Sequence, residues 1–279
     1  MLSSVVPRIP IGDFVEFLVK WIEAHFGSGL DLLSDKLDFL ITALKDILLF
    51  LPPELFILVL SLFAYFAAKR NTRMALGTAV GFLLILNMEL WELSMQTFAL
   101  VLSSAFLTLL IGIPMGILCA KSELLYRLTR PLLDLMQTMP SLVYLIPVMI
   151  FFGLGNVPGM IATIVFAMPP AIRLTNLGIR QIPKELIEVS EAFGSTGLQK
   201  LLKVELPVAL PTIMAGVNQC IMLSLSMVVI ASMIGARGLG YQVLFGLQRV
   251  EIGLGFEAGL GIVIIAVVLD RVTQSLSPK

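Results

Sequence analysis

The sequence predicts an all-α, polytopic membrane helical bundle of about seven transmembrane helices preceded by two amphipathic interfacial helices, and three observations carry that expectation. Of the 279 residues, 58% are apolar or aromatic and only 14% are charged, about half the charged fraction with which a soluble domain covers its surface. Mean hydropathy is +0.98. From residue 53 onward, seven apolar runs approach or exceed the roughly 20 helical residues needed to cross about 30 Å of hydrocarbon. The two cysteines, Cys119 and Cys220, lie inside such runs and His25 is the one histidine, which excludes a disulfide framework and a histidine-based metal cluster.

Residues 1–52 read as an external amphipathic segment. Asp, Glu or Lys interrupts its apolar runs too early for a signal-peptide core, so the N-terminus is expected to be mature protein. Between residues 11 and 26, Asp13, Glu16, Lys20 and Glu23 recur at spacings of three and four, opposite Phe14, Leu18, Trp21 and Ile22; this is the periodicity of an amphipathic helix. Gly27-Ser28-Gly29 is expected to end it. A second such helix follows over 30–50, with Asp31, Asp35, Asp38, Thr42 and Lys45 on one stripe and Leu33, Leu37, Leu40, Ile41, Leu44 and Leu48 opposite. Helices of this kind lie in the headgroup plane; a hairpin packed on a small soluble core is the alternative.

The apolar runs cover 53–68 and 74–90, two accessory helices within 53–92, and then 93–120, 132–152, 157–172, 210–234 and 253–269. Several contain Gly or Pro, as in Gly112-Ile113-Pro114, Met139-Pro140, Ile146-Pro147 and Met168-Pro169-Pro170. Such interruptions are tolerated where neighbouring helices or a water-filled cavity satisfy the freed carbonyls, although packing irregularity explains each single proline equally well. With seven spans and an external N-terminus, the outer segments hold 6 basic and 12 acidic residues and the inner segments 13 basic and 7 acidic. Basic residues near span ends are retained in the cytoplasm, so the N-terminus is expected outside and the C-terminus inside.

One inner segment differs from the other loops, which are short. From Thr175 to Pro211 the chain is polar and helix-rich, and long structured loops usually serve a function or a partner. Its centre reads Glu188-Val189-Ser190-Glu191-Ala192-Phe193-Gly194, then nine residues, then Val204-Glu205-Leu206-Pro207. Small residues and a helix-ending Gly suit a short helix that seats in a groove of a second protein, and Pro207 is placed to start the next element at a fixed angle. The spacing is similar to the EAA signature of ABC importer permeases, with Val189, Ser190 and Val204 as departures from it. The resemblance continues in Met136-Gln137-Thr138-Met139-Pro140, Phe166-Ala167-Met168-Pro169-Pro170, Ala215-Gly216-Val217-Asn218-Gln219 and Leu225-Ser226-Met227-Val228-Val229-Ile230-Ala231. Over about 180 residues the chain looks like the permease subunit of glycine betaine/proline importers.

That resemblance implies a type I ABC transmembrane permease domain over 93–273, working as one of two permease copies with a cytoplasmic ABC ATPase and an external substrate-binding protein. It implies import of glycine betaine or related quaternary amines for osmoprotection, in the plasma membrane of a prokaryote. ATP and Mg would bind the partner ATPase and no cofactor this chain. Glu188, Glu191, Ala192, Gly194, Leu206 and Pro207 are the implied ATPase-coupling residues, with Val189 and Ser190 touching only the fine packing of the helix.

Gln137, Thr138, Asn218 and Gln219 are costly in lipid and are expected to face the bundle interior, as candidates for a translocation path or for helix-to-helix hydrogen bonds. Trp91, Tyr144 and Tyr241 are candidate faces for a quaternary ammonium, but they are too scattered in sequence to define a cage. Gly235-Ala236-Arg237-Gly238-Leu239-Gly240 is glycine-rich but lacks a preceding strand and a Walker-type Gly-Lys-Ser/Thr; a tight external turn is expected. No Walker A run occurs in the sequence, so ATP hydrolysis falls to a partner. A permease for another small solute is the alternative within the same class. A solute- or tension-gated channel would use the N-terminal helices as sensors but leaves the loop spacing unexplained. A membrane enzyme finds no paired acids or histidine within the spans.

Overall fold

The structure, a computed structural model, describes residues 11–276. Arg8 and Lys279, both counted in the charge asymmetry, lie outside the described residues. The elements are α1 (Ile11–Phe50), α2 (Pro53–Ala67), α3 (Thr72–Asn87), α4 (Trp91–Lys121), α5 (Glu123–Thr138), α6 (Ser141–Phe152), α7 (Asn156–Arg180), α8 (Lys184–Ala192), α9 (Gly197–Lys200), a π turn (Leu201–Glu205), α10 (Leu206–Ser232), α11 (Leu239–Arg249) and α12 (Ile252–Leu276). Every regular element among the described residues is helical.

The centre of the bundle is α7, sandwiched between α4 and α10. The contact is close because glycines line it. A Cβ at Gly112 would fall 2.7 Å from Ala171 Cβ, and one at Gly116 would fall 2.5 Å from Thr175 Cβ and 2.8 Å from the Ile172 carbonyl oxygen. Gly178 faces Ala209 and Thr212 in the same way, and Gly159 faces Ala231. Small residues let helix backbones approach where lipid supplies no hydrophobic drive between helices. Around this core, α12 packs on α10 and on the α2–α3 hairpin. Phe56, Phe82 and Trp91 join the layers with ring centroids 5.5–6.3 Å apart.

Two expectations are corrected. The two N-terminal helices are one: α1 runs 40 residues through Gly27-Ser28-Gly29. Gly costs about 1 kcal/mol per residue relative to Ala within a helix, but a helix already nucleated on both sides propagates one hydrogen bond at a time, so flexibility alone does not stop it. The second half of α1 lays Leu37 and Ile41 on Leu100, Val157, Met160 and Ala236. The expected span 132–152 is also not a single rod. It is the bent pair α5 and α6, turned by 102° at Met139-Pro140, where Met139 leaves the helix with ψ 134. The proline disfavours helical geometry in the residue before it.

Among the described residues four helices are long and apolar enough to cross a membrane, and six spans result if each bent pair counts as one, the other pair being α1 and α2 at 99°. Helix α3 adds a shorter apolar segment. All seven apolar runs therefore have helical counterparts. Between α10 and α12 the glycine-rich segment is the expected tight turn: Gly235 and Gly238 have φ of +90° and +119°, and the Leu239 N–H donates to Thr97 Oγ1 at 2.8 Å.

Candidate functional site

The polar loop after α7 is built as a small, closed helical element. Helix α8 ends at Gly194, whose φ of +74° is open to glycine at no steric cost. The Gly194 N–H donates to the Glu191 carbonyl at 2.9 Å and the Ser195 N–H to the Ser190 carbonyl at 3.1 Å. That pair of bonds is a Schellman closure and satisfies carbonyls that the helix end would otherwise leave free. The next helix begins at once with a capping box between Thr196 and Gln199, and Lys200 Nζ reaches back to Glu191 Oε1 at 2.5 Å.

The departures from the family pattern fit this geometry. Ser190 is buried and its hydroxyl donates to the Ile187 carbonyl at 2.8 Å, so the replacement introduces no unpaired donor. Val189 is exposed, and with Leu186, Phe193 and Leu198 it forms an apolar outer surface on which Phe193 is 87% exposed. Glu188 and Ala192 are also exposed. The inner side holds Ile187 and Leu206 against Ile179, Ile182, Ala209 and Ile213 at the ends of α7 and α10. Pro207 is exposed and does not begin a separate element. Helix continues from Gly197 to Ser232, with one wider turn in which the Leu206 N–H bonds Leu201. A proline ring clashes with the carbonyl four residues back in a regular helix, and the π turn relieves that clash.

Sequence reasoning missed Glu205. It is 3% exposed, and both carboxylate oxygens lie 2.5 Å from Lys121 Nζ, joining the start of α10 to the end of α4. Beside it Arg180 donates to Glu123 Oε2 at 2.8 Å and to the Cys119 carbonyl at 2.9 Å and stacks over Tyr126. The two ends of the loop are thus tied by charge to two helices, α4 and α5. The one available signal was an acid directly before the Leu206-Pro207 pair at the head of a long apolar run, where an unpaired charge is expensive.

The four polar candidates within the spans fall in two places. Gln137 Oε1 accepts from Arg173 Nη1 at 2.8 Å, and Arg173 also pairs with Asp134. Thr138 donates to the Leu135 carbonyl at 3.3 Å at the α5–α6 break. Tyr144 donates to the Met136 carbonyl there, so the broken turn is satisfied from within the protein. Asn218 Nδ2 donates to Asp270 Oδ1 at 2.9 Å, and Gln274 joins the same oxygen at 2.7 Å. Gln219 lines a cavity of about 590 Å³ between α7, α10 and α12, together with Leu174, Met214, Met222 and Thr273. Among the described residues no hydrogen bond or shared cavity joins the two clusters. Asp134, Arg173 and Asp270 were missed, although Asp134 and Arg173 each stand between apolar neighbours and Asp270 follows a long apolar run. The aromatic candidates are equally dispersed: Trp91 packs with Phe56 and Phe82, Tyr144 sits at the break, and Tyr241 stacks on Phe245.

The chain was compared with known proteins. The family model described as binding-protein-dependent transport system inner membrane component matches residues 112–279. The glycine betaine transport system permease protein OpuAB of Bacillus subtilis (strain 168) is 46% identical over 274 residues, covering 98% of this chain and 96% of the relative. The glycine betaine/carnitine transport permease protein GbuB of Listeria monocytogenes (serotype 1/2a, strain 10403S) is 46% identical over 276 residues, covering 98% of both. The glycine betaine/proline betaine permease ProW of Escherichia coli (strain K12) is 45% identical, covering 96% of this chain and 75% of the relative. Among solved structures, the inward-facing MetNI methionine ABC transporter aligns at a TM-score of 0.58 and 24% identity, over 68% of this chain and 96% of that one, a likeness of fold. The helical bundle and these near-full-length similarities lead to one conclusion: the chain belongs to the family of binding-protein-dependent inner-membrane permeases, in the branch that holds the glycine betaine permeases.

Proposed function

We propose that this chain is the permease subunit of an ATP-driven importer of glycine betaine or a closely related quaternary-amine solute, acting in osmoprotection. It would work as a pair of copies with a cytoplasmic ATPase and an external binding protein. The near-full-length similarity to permeases named for glycine betaine carries the substrate class. The exposed apolar face of α8 supports the ATPase as the partner of the loop, because Phe193, Val189 and Leu186 are left on a surface with no cover in the chain itself. An exposed cluster of that kind marks a protein contact.

The ion pairs supply the coupling. A movement of α8 and α9 is passed to α10 through the continuous helix, to α4 through Lys121–Glu205, and, by way of the packing of Ile187 on Ile179 at the end of α7, to α5 through Arg180–Glu123. Gln137 and Thr138 at the α5–α6 break, and Asn218 and Gln219 on α10, are the candidate lining of the path. In this reading residues before 51 lie outside, the 175–210 loop lies inside, and the C-terminus is cytoplasmic, which agrees with the crowding of Lys121, Arg180, Lys200 and Arg271 at the loop end of the bundle.

The test is uptake into proteoliposomes that hold the permease, its ATPase and the binding protein, with labelled glycine betaine outside. Betaine accumulation that depends on ATP and on the binding protein is expected. ATP hydrolysis with accumulation of methionine but not betaine would overturn the substrate. For the topology, a cysteine placed at Asp35 should react with an impermeant reagent from outside; labelling only from the cytoplasm would reverse the orientation.

A further inference from the structure

A second feature lies away from the docking loop, between the accessory helix α3 and the last helix α12. A groove of about 330 Å³ opens there, walled by Gly77, Gly81, Val263, Ile264 and Val267 and reaching Arg73 and Arg271. It adjoins a second hollow of about 410 Å³ that shares Met74 and Arg271 and adds Lys69. The apolar part follows the spans. The basic part sits at the end of α12 that lies beside the start of α10, since Thr273 and Pro211 share one cavity; that is the end carrying the docking loop.

Charge complementarity identifies the occupant. Lys69, Arg73 and Arg271 are all exposed at the mouth, no carboxylate lines either hollow, and none of the three cations has an ion pair among the described residues. The nearest acid on α12, Asp270, is engaged by Asn218 and Gln274 on the side facing α10. An apolar slot between two membrane helices, closed at the interface by three uncompensated cations, matches a molecule with one acyl chain in the slot and a phosphate at the mouth. We infer that this groove binds an anionic phospholipid, which packs α3 against α12 at the loop end of the bundle. A second protein chain would have to present both a hydrocarbon edge and an anion within the membrane plane, whereas such a lipid is already there.

The test uses the permease assembled with its ATPase, taken from discs of equal phosphatidylglycerol and phosphatidylcholine, with retained lipid counted by native mass spectrometry. Wild-type protein is expected to retain phosphatidylglycerol in preference to phosphatidylcholine. Arg73→Gln combined with Arg271→Gln should lower phosphatidylglycerol retention by about tenfold, since each cation near an anionic surface contributes comparably. Phosphatidylcholine retention should not change. Gly77→Leu gives an arm that leaves the charges in place: a Cβ at Gly77 meets nothing within 4 Å, so the side chain fills the slot without disturbing packing and should also expel the lipid. Equal retention of the two lipids by wild type, retention unchanged in both variants, or release of the lipid by inorganic phosphate would each overturn the assignment. Solute uptake is not the readout, so the result stands apart from the substrate proposed above.

Discussion

Helices α4, α7 and α10 are joined by glycine-lined backbone contact, with ion pairs linking their loop ends to one another and to α5, whereas α1, α2 and α3 join the same bundle by side-chain packing. Among the described residues no side-chain hydrogen bond or ion pair leads from α1, α2 or α3 to another helix, while Lys121–Glu205 and Arg180–Glu123 cross between helices at the loop end of the centre. The family model begins at residue 112, inside α4, yet the glycine betaine permeases match nearly the whole chain. The centre is thus the part shared across the family, and the N-terminal layer belongs to the branch. Close backbone contact with charged ties makes the centre move as a unit, and an apolar layer around it gives way without breaking polar bonds.

The sharpest way to break this comparison is to enlarge a glycine on each side of it. Gly116→Leu places a side chain where even a Cβ would lie 2.5 Å from Thr175; overpacking of this kind is expected to cost about 3 kcal/mol and to abolish monodisperse protein in size-exclusion chromatography. Gly29→Leu in α1 meets open space and should leave melting unchanged or raise it slightly, because Gly is the poorer helix former. Equal losses in the two variants would erase the difference between the regions.

Next in size is the tie between α4 and α10. Lys121→Met leaves the buried Glu205 carboxylate without its partner; because the lysine is itself 42% exposed, the cost is expected near 2 kcal/mol rather than the larger penalty of a fully buried pair. Adding Glu205→Gln should recover part of it. Thermal unfolding of the purified permease measures both, and additive losses in the double variant would show that the pair is not an interacting unit.

The third test stays within the loop. Gly194→Val meets no steric contact but must hold a φ of +74°, at about 1–2 kcal/mol. The spans should insert normally while uptake per ATP hydrolysed falls; Gly194→Asn, which tolerates left-handed geometry better, should fall less. Wild-type coupling in both would remove the Schellman closure from the mechanism. Glu188→Lys probes the same face by charge reversal and is expected to weaken ATPase association. Smallest in stability is Phe193→Ser: with the ring 87% exposed, melting of the isolated permease should move by no more than about 0.5 kcal/mol, yet co-purification of the ATPase should drop. A large fall in melting would show that the ring is packed rather than presented.

How far the molecule was legible depended on whether the signal was local. The apolar runs and the end of α8 were readable because hydropathy over 20 residues and a glycine after a helical pattern act locally. Continuity of α1 through Gly27-Ser28-Gly29 was not, since propensity weakens a helix without deciding its end. The break at Met139-Pro140 was visible as a proline, but hydropathy treats a bent pair and a straight span alike. In the candidate site, the loop residues were named from the resemblance of their spacing to a family signature, while Glu205, Arg173 and Asp270 take their places from partners 84, 39 and 52 positions away, a distance no window along the chain can see.

The π turn at Leu201–Glu205 has one further consequence. A helix advances 100° per residue, so a residue added to a regular helix would turn the loop's outer face by that much relative to the contacts of α10 with α7 and α12; the wider turn instead takes up its extra residue within a single turn. Removing one residue there would restore regular pitch with the loop and the bundle still in phase, and would bring back the clash of the Pro207 ring with the carbonyl four residues before it. The turn therefore acts as a slack link: it admits the proline while keeping the outer face of the loop, with Phe193 and Glu191, aligned to the bundle.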